Sequence, residues 1–284
     1  MVKFLILILS FGFSTLLTLL LNLGEPWKIA VGIIGFGLAF IILFAIIFFV
    51  IVGLFAIRVK KDEIPAKYSS TYRKLYNLYQ PFLLSLFSIK LTVNNLDMVP
   101  TDTNFILFQN HRSNVDPIIT DYVFRKFPMI FVGKASLFSI PFFGKIIRHI
   151  GYVKLTRSSN IDDANQIIRG LRWVRAGECS LCVYPEGQRN KTYPNPKMLE
   201  LKEGTISLAI KSNKPIVVTT IHGTDKINDK LLFKMHKIQL DVLAVIKPED
   251  YNNLSPEELT EKVTKIMLDG VNNPLEKKEK VRLY

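Results

Sequence analysis

The sequence predicts an α/β fold: a mainly parallel sheet flanked by helices, preceded by an N-terminal membrane helical hairpin. Three observations carry this. Residues Phe4 to Gly24 and Ile29 to Ile57 are nearly unbroken apolar runs, each long enough for the ~20 helical residues that cross a bilayer. From Leu91 onward, short apolar runs alternate with helical periodicity, the pattern of an α/β domain. And the overall composition, 49% hydrophobic in 284 residues with mean hydropathy +0.23, excludes a disordered chain.

Taken in order, residues 1–61 form the membrane-anchoring hairpin. A cleaved signal peptide fits poorly, because no small-x-small site follows the first run and Gly24-Glu25-Pro26-Trp27-Lys28 leads directly into the second. Trp27 and Lys28 stand where an interfacial anchor belongs. After the second run come Arg58, Lys60, Lys61, Lys67, Arg73 and Lys74, which by the positive-inside bias put the remainder of the chain on the cytoplasmic side of the cell membrane. Residues 62–90 read as an interfacial helical segment, with an ordinary amphipathic helix packed on the domain as the alternative.

Residues 91–271 form the α/β domain. Strands are expected at Phe105 to Phe108, Met129 to Val132, Tyr152 to Leu155, Leu181 to Tyr184, Ile216 to Ile221 and Ile238 to Ile246. Ile161, Ala164, Ile167, Ile168, Leu171 and Val174 mark a helix opened by Asn160 and closed by Gly177. Ser255-Pro256-Glu257-Glu258 is a capping box with proline in the first turn, starting a helix that ends near Gly270. The tail, 272–284, is charged and expected to fray.

Charge narrows the function. Residues 1–57 hold only Lys3, Glu25 and Lys28, so +12 of the formal +13 lies in residues 58–284. Such a body suits nucleic acid, an anionic membrane or phosphorylated substrates. The anchor favours the last two, and there is no basic stretch interleaved with aromatics, no helix-turn-helix and no zinc-finger spacing. No metal site is expected either: Cys179 and Cys182 fall on one buried strand, where a separation of three sends side chains to opposite faces.

The chemistry starts at Asn110-His111-Arg112-Ser113-Asn114-Val115-Asp116, directly after an expected strand. A turn between them would let the Asp116 carboxylate fix the His111 tautomer, making a general base. Taken alone, the spacing favours a plainer reading, in which Asp116 caps a helix beginning at Pro117 and His111 is a polar loop residue. Three more blocks bear on the choice. Tyr184-Pro185-Glu186-Gly187-Gln188-Arg189 can present backbone N–H groups and a guanidinium to a phosphate while Glu186 accepts from a hydroxyl. Gly151 to Arg157 puts a second guanidinium at a strand end, and Pro215 to Gly223 is a strand running into a turn.

With these four blocks in this order, the chain resembles the glycerolipid acyltransferase family, most closely its bacterial 1-acyl-glycerol-3-phosphate acyltransferases, over about residues 88–225. The resemblance implies one-step acyl transfer, with His111 and Asp116 catalytic and Arg157, Glu186, Gly187 and Arg189 binding the glycerol phosphate. Lys134 is a further candidate for phosphate contact. No cofactor is implied; the partners are membrane lipids, lysophosphatidic acid and a thioester donor, acyl-CoA or acyl carrier protein. Where the family usually has Thr-Arg-Ser after Glu-Gly, this chain has Gln188-Arg189-Asn190, which bears on the acceptor's identity. Another lysophospholipid or glycerol-3-phosphate is the alternative acceptor. A noncatalytic anionic-lipid scaffold and a hydrolase using Ser113 are the alternatives of other classes.

Overall fold

The computed structural model describes residues 2–22, 25–57, 65–86, 88–156, 160–229, 235–276 and 279–281. The chain divides into two units, Met1–Asp62 with Tyr284, and Glu63–Leu283.

The first unit is a helical hairpin of α1 (Val2–Leu20) and α2 (Pro26–Ile57). Within α2, Pro26–Phe44 is long and apolar enough to cross a membrane. In α1, a helix of 19 residues, Leu7–Leu20 is the apolar stretch found among the described residues. The helices meet through small and hydroxylated residues. Ser14 Oγ donates to the carbonyls of Ile33 and Gly32, and Ser10, Ser14 and Thr18, one turn apart, are buried.

The second unit opens with α3 (Ser70–Leu86), which packs on the helices that follow the second and third strands. Arg73, Tyr76, Gln80 and Leu84 are its buried face, at the spacings of three and four that bring side chains onto one stripe. The helix expected at the membrane interface is thus integrated into the domain. Arg73, counted above with the topology-setting charges, is buried in an ion pair with Asp121. Lys67 and Lys74 are exposed; Arg58, Lys60 and Lys61 lie outside the described residues.

The remaining elements are β1 (Ile89–Asn94), β2 (Ile106–Gln109), α4 (Asp116–Val123), β3 (Met129–Lys134), α5 (Phe143–Ile150), β4 (Val153–Leu155), α6 (Asn160–Arg175), β5 (Ser180–Val183), α7 (Glu203–Ser212), β6 (Ile216–His222), β7 (His236–Ile246), α8 (Pro256–Asn272) and β8 (Glu279–Val281). They build one sheet ordered β4-β3-β5-β2-β6-β7-β1-β8. Five of its seven pairings are parallel; β6–β7 and β1–β8 are antiparallel. All six expected strands form. Strand β1 was read as part of the interfacial segment and its boundary, because Ile89-Lys90-Leu91-Thr92-Val93 alternates too briefly to stand out.

Two other expectations change. In α6 the face turned inward is Gly170, Leu171, Trp173 and Val174, while Ile161 and Ile168 are exposed. The cause is Gly170: a Cβ there would come within 2.8 Å of Val153 Cγ2, so the helix seats on β4 through its smallest residue and the isoleucines rotate outward. The tail is also tied down. The Gln239 amide donates to the Leu275 carbonyl at 2.7 Å, the Leu275 N–H donates to Asp241 Oδ2 at 3.1 Å, and Glu279–Val281 pair with β1.

Candidate active site

Strand β2 lies inside the run of five parallel strands β4-β3-β5-β2-β6, with β5 on one side and β6 on the other. From β2 the chain moves outward to β3 and β4, returns to β5, then crosses β2 to reach β6. The carboxyl ends of β5, β2 and β6 therefore surround a point where strand order reverses, the usual place for a site in an open α/β sheet. The side chains that carry chemistry leave from these ends.

Asn110 lets the chain depart from the sheet without losing its backbone pairing. Its side-chain amide donates to the Ile221 carbonyl at 3.0 Å and accepts from the Ile221 N–H at 2.7 Å. The carboxamide thus extends the β2–β6 ladder by one step, in place of a peptide group. His111 follows immediately.

Between His111 and Asp116 the backbone makes a turn, with the Asp116 N–H donating to the Ser113 carbonyl. Asp116 Oδ2 accepts from the N–H groups of Arg112 and Ser113, each at 2.7 Å, and lies 2.8 Å from His111 Nδ1. Asp116 is fully buried. Three donors on one oxygen hold the charged carboxylate, and a carboxylate at Nδ1 selects the tautomer with the proton there, leaving Nε2 as the basic atom. The expected pair is therefore formed. The expected helix cap is not: Asp116 is the first residue of α4, Val115 occupies the cap position, and the carboxylate reaches backward into the turn.

The His111 imidazole stacks on the Tyr184 ring, centroids 4.1 Å apart and 23° from parallel. Its backbone is held by the next block. Glu186 Oε1 accepts from the His111 N–H at 2.7 Å, and the Asn190 N–H donates to the His111 carbonyl at 2.7 Å. Glu186 Oε2 accepts from the Leu199 N–H at 2.8 Å. Glu186 is thus 2% exposed with both oxygens on backbone amides, one of them that of His111. Burial raises its pKa, and the His111 and Leu199 amides oppose that rise.

Gly187 makes the turn after Glu186 with φ of +70°, a conformation that suits glycine. Arg189 is half-buried and forms no hydrogen bond or ion pair among the described residues. Lys134 is exposed at the carboxyl end of β3, on the same sheet edge as His111. Arg157 lies outside the described residues; the chain leading to it is anchored by Thr156, whose N–H and hydroxyl donate to Asp163 Oδ1 at 2.7 and 3.0 Å.

The departure at Asn190 has a structural use. Its Oδ1 accepts from the N–H and hydroxyl of Thr192, and its Nδ2 donates to the Pro196 carbonyl at 2.7 Å, closing the following loop on itself. Two residues to which the sequence assigns no role also lie here. Arg112 is buried with its guanidinium 3.8 Å from the Tyr193 ring centroid. His222, ending β6, is pushed down to about 4 by burial and then by the Arg112 charge, so it is neutral near pH 7. Neither could be placed by spacing, since both are defined by what the fold sets against them. Cys179 and Cys182 are buried free thiols, raised by burial, the former to about 12.

Comparison with known proteins agrees with the resemblance carried by the four blocks. The Acyltransferase family model matches residues 90–222, from β1 to the end of β6. Over these residues the chain is similar to that family. Across a wider span the chain is 28% identical over 200 residues to the 1-acyl-sn-glycerol-3-phosphate acyltransferase of Borreliella burgdorferi, covering 68% of this chain and 74% of the relative. It is 26% identical over 200 residues to the Escherichia coli enzyme of the same name, covering 69% and 75%. Its fold is similar to the crystal structure of the Thermotoga maritima 1-acyl-sn-glycerophosphate (LPA) acyltransferase, with TM-score 0.57 and 24% identity, covering 70% of this chain and 78% of that one. The matched residues take in the four blocks as far as His222, whereas α3 and its buried Arg73 lie before them. The apolar span in α2 is the feature that associates the chain with a membrane.

Proposed function

We propose that this chain transfers a fatty acyl group from an acyl thioester to the sn-2 hydroxyl of 1-acyl-glycerol-3-phosphate, giving phosphatidic acid. The observation that carries the reading is the 2.8 Å contact between His111 Nδ1 and the buried Asp116, which leaves Nε2 free to take a proton. The names of the curated relatives supply the acceptor.

In the reaction, His111 Nε2 removes the hydroxyl proton as the oxygen attacks the thioester carbonyl. The new C–O bond forms, the C–S bond breaks, and the proton passes from the imidazolium to the departing thiolate. Asp116 stabilises the imidazolium between these events. No acyl-enzyme is required, and Ser113 is poorly placed to form one: it is buried, and its Oγ accepts from the Val115 N–H. Arg157, Arg189 and Lys134 are the groups for the acceptor's phosphate, with Gly187 allowing close approach. The donor is acyl-CoA or acyl carrier protein, and neither calls for a resident cofactor. The domain faces the cytoplasm, on the strength of the basic residues that follow α2.

The test is acyl transfer to lysophosphatidate by protein in detergent, comparing wild type with His111→Ala. A loss of roughly two to four orders of magnitude is expected. Undiminished transfer by the variant would refute the base, and wild-type preference for lysophosphatidylglycerol or glycerol-3-phosphate would replace the acceptor.

A further inference from the structure

The segment carrying Arg189 is fastened to the catalytic block on both sides of the arginine. Before it, Tyr184 stacks on the His111 ring and Glu186 holds the His111 N–H. After it, Asn190 holds the His111 carbonyl, and Tyr193 lies against the guanidinium of Arg112, whose own N–H helps fix Asp116. The loop beyond is closed internally, through Asn190 to Pro196 and through Glu186 to Leu199. Segment and base therefore move together or not at all. Arg189 itself, half-buried, makes no hydrogen bond or ion pair among the described residues.

We infer that a phosphate dianion gripping Arg189 organises the His111–Asp116 pair through Glu186, Asn190 and Tyr193, so that the acceptor's phosphate activates the base as well as anchoring the substrate. This rests on reading Arg189 as a phosphate ligand. The physical ground is that binding energy from a nonreacting part of a substrate raises the rate when it fixes the reacting groups. A displacement of about 1 Å at such groups can cost about a hundredfold. Glu186 is then a positioning residue, acting on His111 through its backbone. A phosphomonoester dianion is the activating class, so the free dianion should act in trans on an acceptor that lacks it.

The experiment uses the full chain in detergent with 1-monoacylglycerol, the acceptor without its phosphate, and adds inorganic phosphite, with sulfate at equal ionic strength as control. Phosphite is expected to raise wild-type acylation of monoacylglycerol roughly ten- to a hundredfold, saturably. Arg189→Ala should abolish this activation and raise KM for lysophosphatidate. Glu186→Gln replaces an oxygen acceptor by a donor, so one backbone amide loses its partner; its activation ratio should fall toward one. Tyr193→Ala serves as the second variant if Glu186→Gln does not fold, with the same expectation.

Absence of stimulation overturns the inference. If phosphite nonetheless competes with lysophosphatidate and Arg189→Ala raises KM, the phosphate cradle stands as an anchor only. If Arg189→Ala leaves KM for lysophosphatidate unchanged, the reading of Arg189 falls first. Full activation retained in both loop variants removes the proposed route through the loop.

Discussion

The hairpin and the α/β domain treat polar groups in opposite ways. In the hairpin, Ile8 and Leu20 are 67% and 73% exposed while Ser10, Ser14 and Thr18 face inward. In the domain, Phe105, Ile106, Leu107 and Phe108 are all fully buried, as water demands. An exterior of isoleucine and leucine with hydroxyls inside is stable where the surroundings are as apolar as the surface, which is the condition inside a bilayer. The domain also buries polar groups, but uses them differently. Its Asp116 collects three donors and orients a base, whereas the hairpin's Ser14 only joins one helix to the other. Buried polarity is adhesive in one region and chemical in the other, and substitutions should separate the two.

The largest effect belongs to Asp116→Asn. The asparagine oxygen can still accept from the Arg112 and Ser113 amides, so the turn survives. That same oxygen also meets His111 Nδ1, but as a neutral amide it no longer stabilises the imidazolium, and the charge that selects the Nδ1–H tautomer is gone. A fall in kcat on the order of 10⁴ is expected by analogy with the same exchange in a serine-protease triad, with KM for the acceptor little changed. Steady-state kinetics with lysophosphatidate check this. A loss expressed only in KM, or accompanied by collapse of the fold in circular dichroism, would reduce Asp116 to the adhesive kind of group seen in the hairpin.

This contrast also explains what could be read from the sequence. The strands Phe105 to Phe108 and Ile216 to Ile221 were legible because continuous apolar runs of that length have few other uses. His111 and Asp116 were legible through their order with three other blocks, not through their spacing. What stayed hidden depends on long-range juxtaposition. Glu186 reads as a substrate ligand in its loop, and only the fold brings its oxygens to the His111 and Leu199 amides. Arg73 reads as a topology charge until α3 sets it against Asp121, with Gln80 and Tyr152 donating to the same carboxylate. The outward rotation of Ile161 and Ile168 follows from one glycine's contact with Val153, which periodicity does not register.

A smaller effect tests whether buried polarity in the domain is uniformly well supported. His222 lies 3.2 Å from Thr220 Oγ1 and 3.7 Å from Asp241 Oδ2, yet burial and the Arg112 charge hold its pKa near about 4, against 6.5 for the free side chain. The folded protein disfavours the charged imidazole, so the unfolded chain binds more protons between these values. The contribution of His222 is thus complete above about pH 6.5 and is lost as pH falls toward about 4, by roughly 3 kcal/mol at the limit. Glu186 and Asp241, both raised by burial, act with the opposite sign at acid pH. The difference between wild type and His222→Gln therefore isolates the histidine. Chemical denaturation across this range should show a shallower acid loss in the variant; equal slopes would mean that His222 is not held neutral.

The smallest effect is expected in the hairpin, where two serines on one stripe should part company. Ser14 donates to the Ile33 and Gly32 carbonyls and its own carbonyl accepts from Thr18 Oγ1 at 2.8 Å, whereas the Ser10 hydroxyl is buried with no partner among the described residues. Interhelical hydrogen bonds in membrane proteins average about 0.6 kcal/mol, because the separated helices also find partners. Ser14→Ala should therefore lower the protection of α2 amides in detergent by about that amount, read by hydrogen–deuterium exchange. Ser10→Ala removes an unsatisfied hydroxyl from a packed seam and should leave protection unchanged or raise it. Acyl transfer should be unaltered by either change. A loss of activity from Ser14→Ala, at intact α2 protection, would show that a polar group of the hairpin does more than hold two helices together.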